Sequence, residues 1–583
     1  MRAVISLLVA VAFAALAAVA LGSAQGGLGP ISAWVAIAAG AICAVLAARD
    51  LPPGTLSRAA TPRGWVEWTV VLAFALFALR AFCWLVYFDG PNLSFLLPNN
   101  LGDLPLHIAF TRYFANGVPF WPENPIFAGE GLRYPLGVDL ANSLALLAGV
   151  DLIRGYVWAG LLGSLATGVM LWRWGGAFAL AGFLFNGGFA AWQIFRDGNL
   201  DDFQTQIAWK SIPLALFVTQ RGLLYAVPAG LALLWSWRAR LLRGGPGLPL
   251  WVEALLYGTM PLFHLHTFLF LSFMLAGWFA LSFCGLGLPA SLRGGILKLV
   301  ACSALPATVL VWVLTGGFHG GSLIHLKPGW MQGERNPFLF WLENFGILPL
   351  CIVAVFMWLT IILKKTEPGS SRHREAAVQL AIVIPAVLLF LVGCFVMFAP
   401  WEWDNTKLFL WSYLAVLPPL WAMLRRRALW LRSVACFLFF FSGFVALIGG
   451  LDGGGHTLVQ RSILDSLANP LKTIPATSTF ACLPTYNHPL LLMGRKVVAG
   501  YEGHLFSHGI DYRDQMARLE RLLRAEPGWQ QEAQRLRADY LFWGAMEEER
   551  YGQATAGWAA EAPIVAQGAW GRIYDLRAWR QQR

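Results

Sequence analysis

The chain has 583 residues, 57% of them hydrophobic and only 13% charged, with a formal net charge of +11. A soluble core does not need so many apolar residues, whereas a bilayer demands repeated apolar runs of about 20. Nucleic acid is excluded as the reason for the positive charge, because Lys and Arg gather in short loops between apolar runs, the bias that orients membrane helices. The eight scattered cysteines have no spacing for a zinc site, a haem attachment or a disulfide frame.

Membrane spans are predicted near Val4–Leu21, Ile31–Ala48, Trp65–Phe88, Gly155–Trp172, Gly175–Ile194, Leu223–Trp237, Trp251–Phe263 and Thr267–Phe283. Further spans are predicted near Ile296–Thr315, Phe345–Leu363, Ala376–Phe398, Leu408–Leu424 and Leu431–Ile448. That makes about 13 helices. Arg2, an apolar core and Gly22-Ser23-Ala24-Gln25 also fit a secretory signal. A retained first helix is preferred, since cleavage would leave the remaining topology unchanged. Arg49, Arg58 and Arg63, then Arg173, Arg238, Arg240 and Arg243 fall on one side of this threading. Arg293 and Lys298, Lys364, Lys365, Arg372 and Arg374, and Arg425, Arg426, Arg427 and Arg432 fall there too. The positive-inside bias makes that side cytoplasmic, with the amino end inside and the carboxy end outside.

Two stretches strain the threading. Tyr134 to Ile153 is apolar, but Asp139, Asp151 and Arg154 interrupt it or flank it, and an extra span would break the charge parity. It is read as a helix on the outer surface. Trp251 to Phe283 is too long for one span and short for two.

Residues 1–450 thus form an all-α polytopic membrane domain with a first long outer loop, 89–154. Gly449 to Gly455 reads as a flexible link. Residues 451–583 read as a small extracytoplasmic α/β domain. Strands are expected at Lys496–Ala499, Tyr540–Trp543, Ile564–Ala566 and Gly571–Leu576, and helices at Arg513–Ala525 and Gln530–Arg537.

The titratable chemistry falls outside. His107, His319, His325, His456, His488, His504 and His508 lie in outer loops or the outer domain, and His264 and His266 at the outer end of a span. Asp103 and His107 sit four residues apart after a span. Asp103 before Leu-Pro-Leu-His suits a helix N-cap, and equally a general base; the two roles are compatible. His107 lies one turn on, facing the same side; alone it would suit an interfacial hydrogen bond.

Pro261-Leu262-Phe263-His264-Leu265-His266-Thr267 carries histidines at i and i+2, which point apart on a helix and together on an extended segment. Pro261 and the awkward run length suggest a broken helix lining a polar cavity. Trp401 to Lys407 fits an interfacial loop with Asp404 or Asn405 as cap, yet an outer lysine, Lys407, needs an anionic partner. An outer arginine, Arg221, needs a carboxylate or phosphate. Asp197, Asp201 and Asp202 suit solvated loop acids or a divalent cation. The loop Gly500-Tyr501-Glu502-Gly503-His504, running on to His508, suits a lid or a docking edge.

With these motifs the chain resembles the membrane glycosyltransferases of the GT-C superfamily. Asp103 matches their first-loop acid and Tyr134-Pro135-Leu136-Gly137 their Tyr-Pro-x-Gly turn. Bacterial members share Asn186-Gly187-Gly188, Gln220-Arg221-Gly222, Pro261 to Thr267, Trp403 to Lys407 and Gly500 to His504. In many members a second acid follows the first at once; here Leu104 follows, so a divalent cation stays open as cofactor.

The resemblance implies a bacterial inner-membrane enzyme that moves a sugar from a polyprenyl-phosphate-linked donor to an acceptor on the outer face. Asp103 would be the base, with His107 orienting it. Arg221, Lys407 and His266 would lie near the donor phosphate, His264 and Asp404 would be further substrate-binding residues, and His504 and His508 would border the acceptor. Membrane lipids are expected partners and nucleic acid is not. A non-catalytic binder or a transporter of lipid-linked sugars is the competing class.

Overall fold

In the computed structural model the described residues are 1–51, 61–203, 205, 207–318, 324–552 and 557–580. Arg58 and His319 lie outside them. The chain divides into two compact units. One comprises Met1–Ala14, Ala38–Cys83 and Val157–Gly453; the other comprises Ala15–Ile37, Trp84–Tyr156 and Gly454–Arg583.

Among the described residues, nine helices are long and apolar enough to cross a membrane: Arg2–Gln25, Pro30–Asp50, Trp65–Cys83, Leu152–Leu184, Leu292–Leu314, Leu348–Lys365, Ser371–Gly393, Glu402–Leu424 and Leu429–Leu451. The protein is a multi-pass membrane protein. The nine are fewer than the thirteen predicted runs for two physical reasons. Leu152–Leu184 covers two runs, joined where Gly175 and Gly176 leave helical geometry. The φ of 67° at Gly176 is one that glycine adopts without strain. Three further runs fall on shorter helices: Leu223–Trp237, Leu250–Gly258 continued by Met260–Phe263, and Leu265–Leu281. Tyr134–Ile153 yields the 11-residue helix Gly137–Leu147, about half the length a spanning helix needs.

Glycines mark where backbones cross within the larger unit. A Cβ on Gly188 would lie 2.1 Å from the Glu343 carbonyl, and one on Gly443 would lie 2.2 Å from Phe185 backbone atoms. This crossing ends the helical run near Leu184 instead of at the predicted Ile194. Gly449 and Gly450 belong to the Leu429–Leu451 helix. A Cβ on Gly449 would lie 2.5 Å from the Asp201 backbone, so close packing, not flexibility, accounts for these two glycines.

The smaller unit joins the first long loop to the C-terminal region. The hairpin Tyr87–Asp89 and Asn92–Phe95 pairs antiparallel with His456–Gln460. A bridge links Phe127 to Ala499. Asn116 Nδ2 donates to the Met493 and Gly494 carbonyls, and Lys496 pairs with Glu123 at 2.5 Å. The five-stranded sheet runs in the order Lys496–Val497, Thr479–Ala481, Tyr540–Trp543, Gly571–Asp575, Ile564–Gly568. Its first three strands are parallel, and Gly571–Asp575 runs antiparallel to both of its neighbours. Helices Arg461–Lys472 and Arg513–Leu523 each bury one leucine stripe, Leu464, Leu467 and Leu471 on the first and Leu519, Leu522 and Leu523 on the second. At the core of this region His488 Nε2 lies 3.0 Å from Glu547, both fully buried.

Gly188→Val is expected to destabilise the protein by about 2 kcal/mol or more, because helix backbone must move to admit the side chain. An unchanged melting temperature of the purified protein, followed by tryptophan fluorescence, would show that the crossing yields without cost.

Candidate functional site

The chemistry-bearing residues form two clusters, one within each unit. In the smaller unit the helix Asp103–Ala115 opens on Asp103, with Gly102 in the N-cap position and Pro105 in the first turn. Asp103 is thus one residue inside the expected cap, and its half-buried carboxylate sits in the first turn, where the helix dipole favours negative charge. His107 follows one turn on, 1% exposed. Its Nδ1 lies 3.0 Å from both oxygens of Asp139, itself 1% exposed on Gly137–Leu147. The Ser143 hydroxyl bonds the carbonyls of Thr111 and Asp139, fixing this helix against Asp103–Ala115.

Tyr134 packs its ring edge-on to His107 and 4.8 Å from His508. His504, on the short helix Glu502–Ser507, completes the cluster. A Cβ built on Gly102 would lie 3.1 Å from His504 Nε2, so Gly102 leaves room for that ring. Burial, reinforced by the nearby His107, lowers the His504 pKa to about 4, against a hydrogen bond to the Gly102 backbone. Asp103, His107, His504 and His508 therefore belong to one unit. Asp139 was visible in the sequence only as an acid interrupting an apolar run.

The larger unit holds the second cluster. The helical run ends at Phe263, His264 is extended (φ −162°, ψ 104°), and helix restarts at Leu265. The expected break is present, and it brings the His264 and His266 rings to 5.8 Å. The Gln220-Arg221-Gly222 turn packs on it: a Cβ on Gly222 would lie 2.1 Å from the Phe263 carbonyl. Arg221 is 1% exposed. Lys407 meets Asp404 at 3.0 Å, three residues away, so its anionic partner is in its own motif. Thr267 receives the Trp411 indole N–H at 2.8 Å.

Other motif residues staple loops. Asn405 accepts from Phe398 N and donates to the carbonyls of Gly393 and Val396. Asn186 accepts from Ile212 N and donates to the Lys210 carbonyl. Asn405 and Asn186 thus have structural work that accounts for them.

No protein-family model matches the chain, and no curated protein matches it. Among the described residues, no group of three or more His, Cys, Asp or Glu side chains is placed to hold a metal ion. Asp197 pairs with Arg196, and Asp201 accepts from the Asp202 amide.

The lowered His504 pKa carries a sign. Above about pH 6.5 the ring is neutral folded or unfolded, and it contributes no pH dependence. As pH falls the unfolded chain protonates first, so stability drops towards pH 4 by about 3 kcal/mol. His504→Gln is expected to flatten this slope between pH 6.5 and 4 in thermal melts of the full-length protein. Asp139→Ala, which strands buried His107, is expected to cost about 3 kcal/mol, whereas Asp139→Asn should cost less.

Proposed function

We propose that the protein is a membrane glycosyltransferase that moves a sugar from a polyprenyl-phosphate donor to an acceptor hydroxyl on the extracytoplasmic face. The acceptor oxygen bonds to the anomeric carbon as the bond from that carbon to the phosphate oxygen breaks. The hydroxyl proton passes to the Asp103 carboxylate, and polyprenyl phosphate leaves. The observation that carries this reading is the cluster around Asp103: a carboxylate at a helix start, one turn from a buried imidazole that a second carboxylate, Asp139, holds by Nδ1. Acid–base catalysis needs titratable groups held in fixed orientation, and such an arrangement serves it. His107 turns its Nδ1 to Asp139 and its Nε2 finds no hydrogen-bond partner among the described residues, so it stands one turn from the base without orienting it; His504 and His508 border the acceptor in this reading.

Phosphate binding falls to the residues gathered at the helix break, Arg221, His264 and His266, with Asp404 and Lys407 beside them in charge. Irregular backbone and buried polar side chains among apolar helices are retained where they serve a ligand. A divalent cation has no cluster of ligands to support it among the described residues.

Discontinuous helices at His264 and at Gly175-Gly176 favour a second reading, a carrier of lipid-linked sugars without covalent chemistry. Protein reconstituted in liposomes with radiolabelled polyprenyl-phosphate hexoses and pentoses separates the two. The enzyme reading expects label to leave the lipid for a hydroxyl acceptor, and Asp103→Asn to slow that transfer about 100-fold or more. Label that only crosses the bilayer, still lipid-linked, supports the carrier. Full transfer by Asp103→Asn removes the base assignment.

A further inference from the structure

We propose that His264 is a fixed hydrogen-bond donor, locked with its proton on Nε2 by Thr267 and Trp411, and that it binds an oxygen of a phosphate ester. The proposal rests on the reading of this cluster as a phosphate site, and names the group and the protonation form that would make the contact.

The lock follows from which atoms can donate. The Thr267 backbone N–H points at His264 Nδ1 at 3.1 Å, and a backbone N–H can only donate. Nδ1 must therefore present its lone pair, because a proton there would face another proton. The Thr267 hydroxyl strengthens the same choice. Its oxygen accepts from Trp411 Nε1, also a pure donor, at 2.8 Å, which leaves its own hydrogen to turn towards Nδ1, 2.8 Å away. With Nδ1 held as acceptor, the neutral ring carries its hydrogen on Nε2. That atom is buried and finds no hydrogen-bond partner among the described residues, on a residue only 5% exposed. A buried donor without an acceptor is costly. The fold makes three hydrogen-bonding groups converge to keep that donor in place.

The neighbours select the ligand class. His266 Nε2 is likewise buried without a partner among the described residues, its ring 5.8 Å from that of His264. The turn that carries the almost wholly buried Arg221 rests on Phe263 through Gly222. Two imidazole edges beside an arginine-bearing turn suit a group with several acceptor oxygens, which a phosphate ester supplies. Since His264 donates in its neutral form, its contact does not need an acidic pH.

The test uses full-length protein in phosphate-free maltoside micelles, with polyprenyl monophosphate and inorganic phosphate as separate probes. The proposal expects polyprenyl phosphate to bind, and His264→Phe to weaken it about tenfold, the loss of one buried hydrogen bond. Thr267→Val should weaken it about threefold or more by freeing the ring, while Thr267→Ser, which keeps the hydroxyl, stays within about twofold of wild type. The nitrogen shifts of ¹⁵N-histidine-labelled protein, assigned by loss of one signal in His264→Phe, should show the Nε2–H form. Comparable binding of inorganic phosphate would identify a soluble phosphate as the ligand source; binding of the lipid alone, a lipid headgroup. An Nδ1–H signal for His264, or wild-type affinity in His264→Phe, overturns the proposal. Binding without sugar transfer would leave it standing and remove the transferase reading instead.

Discussion

Every backbone amide and carbonyl freed by a helix break in a membrane protein must find a partner within the protein, and the larger unit is organised around meeting that demand. Its helices stop and restart at Gly175-Gly176, after Leu184 and at His264. Polar side chains stand at or near these irregular stretches. Asn186 serves the segment before Ile212, Asn344 accepts from the amides of Ala208 and Trp209, and Asn405 serves the turn from Gly393 to Phe398. His264 does the same for Thr267. Each satisfied group removes a penalty of a few kcal/mol, so these side chains are held by the fold before any ligand is considered.

That demand sorts the residues which draw attention in the sequence. Asn186 and Asn405 spend their hydrogen-bonding capacity on backbone. The glycines of the same motifs, Gly188 and Gly222, admit carbonyls at distances no Cβ allows. What remains of the motifs after this subtraction is the Nε2 edges of His264 and His266. A short motif in a membrane protein can therefore be mostly scaffold, with function resting on the one or two atoms that the scaffold leaves over.

Local patterns were legible and long-range pairings were not. Tyr540–Trp543, Ile564–Gly568 and Gly571–Asp575 fall where β-branched and aromatic runs predict strands, because their neighbours are close in sequence. The short strand Thr479–Ala481 and the pairing of His456–Gln460 with a hairpin near residue 90 have no local signal, since their partners lie far along the chain. The same reason hid Asp139. A lone acid in an apolar stretch reads as an interruption until the helix that carries His107 is seen against it. Gly449 and Gly450 misled in the opposite direction: a glycine run resembles a linker, but two of its members line a close backbone contact within a helix.

The two clusters set a histidine Nδ1 against partners of different kinds. At His107 the Nδ1 partner is a carboxylate, that of Asp139, at 3.0 Å. At His264 the Nδ1 partner is a backbone amide, which can only donate, so the hydrogen sits on Nε2. Both Nε2 atoms are buried without a partner among the described residues. A buried imidazole edge without a partner carries a desolvation cost that close packing does not repay, so neither edge is explained by packing alone.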